Sequence, residues 1–164
     1  MSLYASVGFE VVEPLVIMQG IPTNKESALP ETQVRLLEAK DYDACGELCQ
    51  RVHGFNRTTE IAQFAPMFPG VVAVREDRIT AYATAPNFWQ LNHAVAETTG
   101  DMQNLLAGAA DITQQPLSFL LPTRQAELFR WCLNQKLRVV KPMTLMAMGM
   151  YQEPRGCFLP SVLY

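Results

Sequence analysis

Residues 7–20 read VGFEVVEPLVIMQG, and residues 135–149 read QKLRVVKPMTLMAMG. Val11, Val12, Pro14 and Met18 recur as Val139, Val140, Pro142 and Met146, at a constant spacing of 128 positions that also matches Gly8 with Lys136. Each copy is an extended apolar run, and the alternation of the first is broken at Pro14. The second copy closes a long structured segment. The first has only the short helical stretch SLYAS ahead of it.

Outward from the first copy, residues 21–32 hold two prolines and a string of polar residues, the composition of a linker. The pattern then becomes regular. VRLLEA is strand-like. Asp41 is a candidate N-cap for a helix that Gly54 ends, with Cys45, Leu48, Cys49 and Val52 on one apolar face. RTTEIAQFA predicts a short second helix. VVAVR and ITAYAT flank the turn Glu76-Asp77-Arg78 as a hairpin. WQLNHAVAE reads as a further strand, GDMQNLLAGAA as a helix and LSFLLP as a buried strand. Thr123 is placed to cap a helix from Arg124 to about Gln135, with Ala126, Phe129 and Leu133 inward. Two strands follow, Leu137–Val140 and Met143–Met148, and CFLPSVLY closes the chain as an extended piece. This order predicts an α/β (α+β) fold, with a mixed, mostly antiparallel central sheet flanked by helices.

Composition bounds the partners. The 164 residues suit one domain, and 49% are apolar, enough for a sizeable core. The net charge of −3 and the lack of a Lys/Arg run argue against a nucleic-acid or anionic-membrane surface. No apolar run approaches the ~20 residues that span a bilayer, and no secretory signal is evident. Cys45, Cys49, Cys132 and Cys157 form no C-x-x-C pair. They read as reduced thiols of an intracellular, cytoplasmic protein.

The element order, together with LYASVGFEVVEP in the first copy, resembles the GNAT superfamily of acyl-CoA-dependent N-acetyltransferases, whose closing segment is L-Y-x-x-x-G-F. The resemblance implies three parts: residues 1–20 as the tail of a preceding GNAT-like domain, 21–32 as linker, and 33–164 as a GNAT-like domain. The chain is then similar to the C-terminal part of a tandem GNAT protein. It implies acetyl-CoA as cofactor and transfer of its acetyl group to an amine. The alternative is a catalytically inactive GNAT-like module with a structural or partner-binding role. A third reading is a generic binding module with an apolar cleft between two diverging strands.

Acetyl transfer requires a deprotonated amine, a polarised carbonyl and a protonated leaving thiolate. In the family the cofactor's pyrophosphate sits on a Gly-rich turn between the fourth strand and the third helix. The matching turn here places Val95, Ala96, Thr98, Thr99, Gly100 and Asp101 as cofactor-binding residues. It departs from the pattern in having one glycine, no cation, and the acids Glu97 and Asp101. The family's general acid is the Tyr of L-Y-x-x-x-G-F, which is Tyr4 in the first copy. In the second copy the position is Cys132. A thiol with a reference pKa of about 8.5 can donate a proton, and a helix thiol can equally be a small buried hydrophobe.

Other residues are weaker candidates. Glu60 and His93 could act on an amine, or be a surface acid and a satisfied strand histidine. Cys45, Cys49 and His53 share a helix face that suits a metal, or merge into the apolar stripe. Met143, Met146, Met148 and Met150 suit packing, and Phe88 and Trp89 suit a cleft mouth or a hairpin end. The apolar strand of residues 9–18 must be covered, so it is expected as an added strand on its own sheet or in a strand-exchanged homodimer.

Overall fold

The repeated segment becomes the most unusual strand of the molecule. In the computed structural model, residues 2–23 and 29–162 are described; the middle of the expected linker, 24–28, lies outside them. The short helix α1 (Ser2–Ser6) leads through Gly8 into β1 (Glu10–Gly20). Then come β2 (Gln33–Leu36), a 3-10 turn (Ala39–Asp41), α2 (Tyr42–His53), α3 (Thr58–Phe64), β3 (Val71–Arg75) and β4 (Arg78–Ala83). The remainder is β5 (Ala94–Ala96), α4 (Thr99–Thr113), β6 (Leu117–Pro122), α5 (Ala126–Asn134), β7 (Arg138–Ala147) and β8 (Cys157–Leu159).

Hydrogen bonding divides the strands into a five-stranded sheet, β2-β3-β4-β5-β8, and a three-stranded sheet, β6-β1-β7. The α/β class is as expected, with helices flanking antiparallel sheets. A single central sheet was the sequence expectation, and every ladder described is antiparallel rather than mixed. The main core lies between the sheets, α4 and α5, around Met18, Leu105, Leu106, Phe119, Leu121 and Leu128. A second core, under α2, collects Leu48, Cys49, Ile61, Val72 and Tyr82.

β1 is central, with β6 on one edge and β7 on the other. Its ladder with β7 has a local two-fold axis at the pair Leu15↔Met143, which are equivalent positions of the repeat. The axis maps Pro14↔Thr144 onto Val16↔Pro142, Val11↔Met146 onto Met18↔Val139, and Glu10↔Ala147 onto Gln19↔Arg138. Even the irregularities obey it. One register shift leaves out Val12 and the other leaves out Val140, its repeat mate. The turns that feed the strands match too, since Gly8 and Lys136 both have positive φ, 99° and 68°.

Local chemistry explains most elements. Gly54, at φ 83°, ends α2 in the left-handed conformation, as its sequence position predicts. Glu76 and Asp77, at φ 53° and 57°, make the tight β3–β4 turn. Five expectations are corrected. WQLNHAVAE is strand only at Ala94–Ala96, because Phe88 and Asn92 are held in a turn by the Asn92 N–H donating to the Phe88 carbonyl. The helix after Thr123 starts at Ala126, and Thr123 spends its hydroxyl on the Pro14 carbonyl. Leu128 and Cys132 are the buried residues of α5, one step round from the expected face. The two strands expected after it are one strand, β7, bulged at Val140. Asp41 does precede α2, but its carboxylate takes Arg35 Nη1 and Nη2 (2.6 and 2.8 Å) instead of capping the helix.

Candidate functional site

The turn from β5 into α4 sits where the sequence places a cofactor cradle. Thr98 is the N-cap: its Oγ1 accepts the Asp101 backbone N–H at 3.1 Å and donates to Asp101 Oδ2 at 2.6 Å. Asp101 is fully buried and also takes Arg75 Nη2 from the end of β3 at 3.2 Å. Glu97 receives Arg51 from α2 at 3.2 Å, and Arg78 from β4. The two acids of the turn are therefore neutralised by arginines of neighbouring elements. Leu29 covers the first turn of α4, since a Cβ on Gly100 would lie 3.1 Å from Leu29 Cγ, and Asn104 Nδ2 donates to the Leu29 carbonyl at 2.9 Å.

Val95 and Ala96 are buried in β5, and their free edge is taken. β8 pairs there as Ala94↔Leu159, Val95↔Phe158 and Ala96↔Cys157. The opposite edge of β8 is held by one side chain. Gln125 Nε2 donates to the Phe158 carbonyl (2.6 Å), while Gln125 Oε1 accepts the Phe158 N–H (3.3 Å) and the Cys157 thiol (2.9 Å). The Gln125 amide thus does the work of a strand neighbour. Beside this seam is a surface depression lined by Thr98, Thr99, Arg124, Gln125, Arg155 and Cys157.

A cofactor held on this turn would lie against Glu97, Gly100, Asp101 and the β5 edge beside them. That edge is occupied by β8, the acids stand at the turn, and Leu29 covers Gly100. The residues present do not fit acetyl-CoA in this arrangement.

A second polar cluster is buried under α2. Tyr82 Oη and His93 Nδ1 are 3.1 Å apart, and the His93 and His53 rings are centred 5.2 Å apart. Arg57, itself 8% exposed, holds Glu60 at 2.9 Å. Arg57, Glu60, Thr84, Leu91, His93 and Ser161 line a small cavity. Burial pushes His53 down to about 4 and also lowers His93, so both rings are neutral at pH 7. Burial raises the Cys49 thiol. Among the described residues no group of three or more His, Cys, Asp or Glu is arranged to hold a metal ion.

The two candidate acids are kept apart from this cluster. Tyr4 is on α1, 56% exposed, with its ring edge-on to Phe9 at 5.6 Å. Cys132 is fully buried in the main core, and burial pushes its thiol up to about 12. All four cysteines are buried and free. Phe88 is 50% exposed and stacks with Phe68, whereas Trp89 packs on the small cluster of Leu15, Ile17 and Leu120. Gln125, Arg75 and Tyr82 escaped the sequence reading. Each acts through a partner distant in the chain, and no spacing signals it.

No family model and no curated protein sequence matches the chain. Solved structures do. A candidate acetyltransferase from Pyrococcus horikoshii superposes with TM-score 0.69 at 13% identity, over 93% of this chain and 51% of that one. The chain has the GNAT fold. A GNAT-family candidate acetyltransferase from Novosphingobium aromaticivorans gives 0.57 at 15% identity, over 87% of this chain and 69% of that one. A GCN5-related N-acetyltransferase from Anabaena variabilis gives 0.53 at 14%, over 88% and 42%. This GNAT fold thus spans about half the length of the Pyrococcus and Anabaena chains. No described helix is long and apolar enough to cross a membrane.

Proposed function

We propose that this chain is a GNAT-fold module with a structural or partner-binding role, which does not carry out acetyl transfer through its own seam. The observation that carries the reading is the pairing of β8 with β5, locked from the far side by Gln125. Evicting β8 exposes Phe158 and Leu159, now 2% and 0% exposed, and leaves the Gln125 amide without its strand partners. Burial of two such side chains is worth ~3–6 kcal/mol, which acetyl-CoA would have to supply before any net affinity appears. The arginines at the turn are already paired with its own acids, Arg75 with Asp101 and Arg51 and Arg78 with Glu97, so a pyrophosphate there would have to compete for them.

Calorimetric titration with acetyl-CoA tests this. No heat of binding is expected up to millimolar cofactor, and micromolar binding overturns the reading. A second reading, N-acetyltransfer from acetyl-CoA to an amine, draws on the depression where Arg124 and Arg155 share a wall with Thr98 and Thr99 at the N-terminus of α4. Truncation after Gly156 separates the two. Removing β8 frees the β5 edge, and if this strand alone bars the cofactor the truncated chain gains affinity that Arg155→Glu then abolishes.

A further inference from the structure

The local two-fold axis relates two helix–turn–strand units, and only one of them is fully clothed. β1 carries β6 on its outer edge, pairing along Leu15–Gly20. The mate of that stretch begins at Met143 and runs along the outer edge of β7 to its end at Ala147, and β7 ends the sheet. Pro14 marks where the β6 pairing stops, and its carbonyl accepts the Thr123 N–H at 3.2 Å. A strand residue sends its N–H and C=O to the same edge. Pro14 thus faces β6, and by the axis Pro142, Thr144 and Met146 face away from β1.

The face of the sheet shows the same inequality. Val16 and Met18 are 8% and 0% exposed beneath α5, whereas Thr144 and Met146, their mates, are only partly covered. Cys132 of α5 is buried, and its mate Tyr4 is 56% exposed on α1, next to Leu3 at 71% and Val7 at 58%. Met148, 64% exposed, closes this surface beside Gly8.

We infer that this bare half of the two-fold is the seat of a second GNAT-fold body. Its strand of the β6 kind pairs along Met143–Ala147, and its core receives α1, Met146 and Met148. The solved chains of this fold are long enough to hold such a body, since this chain covers 51% of one and 42% of another. A second copy of this chain does not offer the needed strand, because its own β6 is already paired with β1. The inference deepens the partner-binding reading by naming the surface, but rests on the register alone. Acetyl-CoA binding would overturn that reading and leave this one standing.

A peptide with the β6 sequence QPLSFLLPTR, residues 115–124, is the probe, added to the full chain and followed by amide hydrogen exchange. Exchange at Thr144 and Met146 is expected to slow about tenfold, with the β1 amides unchanged. Thr144→Pro removes one outward N–H without touching the β1 ladder and is expected to abolish the effect. Met146→Lys, which keeps the backbone donor and charges the apolar face, serves if the proline variant does not fold. No protection with millimolar peptide overturns the inference, as does loss of β1 protection, which would mean simple strand replacement. Self-association of the chain that Thr144→Pro abolishes also overturns it, by making the edge an interface between copies.

Discussion

α1–β1 and α5–β7 share a sequence pattern, a positive-φ turn and a bulge, yet one strand is central and the other is an edge. The difference teaches that the repeat sets backbone geometry while the neighbours set burial. Val12 and Val140 bulge alike because the ladder treats them alike. Met18 and Met146 differ in exposure because Phe119 and α5 stand over only one of them.

Substitutions at mated positions can break this comparison. The largest expected effect is at the methionines. Met18→Ala should cost ~2–5 kcal/mol, as for a fully buried side chain, and Met146→Ala less than ~1 kcal/mol. Urea unfolding measures both, and equal losses would mean that β7 is as covered as β1. Next come the helix mates. Cys132→Ser puts a hydroxyl into the main core and should cost ~1–3 kcal/mol, against a change within ~0.5 kcal/mol for Tyr4→Ala. The turns should follow with opposite signs. Lys136→Gly relieves a left-handed residue and should gain about 0.5–1 kcal/mol, while Gly8→Ala should lose about 1 kcal/mol.

The smallest effect is a pH slope. Glu13 is 7% exposed and pairs with Arg124 at 2.8 Å, while its mate Lys141 is exposed. Burial outweighs Arg124 and raises the Glu13 pKa above its usual 4.5. The folded state then keeps a proton that the unfolded chain has already released. The contribution of Glu13 is full below the unfolded value and is lost as pH rises through the folded one. Thermal melts from pH 4 upward should show a shallower loss in Glu13→Gln than in wild type, and no change in Lys141→Gln.

Much of this fold was legible because its signals are local. Gly54 after an apolar helix stripe and Glu76-Asp77 between two β-branched runs act within a few positions, and the 128-residue repeat shows as two short strings that can be compared directly. The misplaced elements have non-local causes. The face of α5 follows from where β6 and β1 lie, not from Thr123, and the Asp41 carboxylate was won by Arg35 of another element. The candidate site was the least readable part. Its turn could be located by order alone, but β8 on the β5 edge is three residues near the far end of the chain, held by one glutamine. Nothing in the spacing of QAELF or GCFLP announces that they meet.

The central place of β1 has a consequence for biosynthesis. Met18 pairs with Phe119 and Val139, so β1 is made well before either of the strands that seat it. At ribosomal speeds of roughly 5–20 residues per second, the gap is on the order of ten seconds. During that time the nascent chain carries LVIM without its sheet, and any holding chaperone that greets this protein at the ribosome would be expected to grip it there.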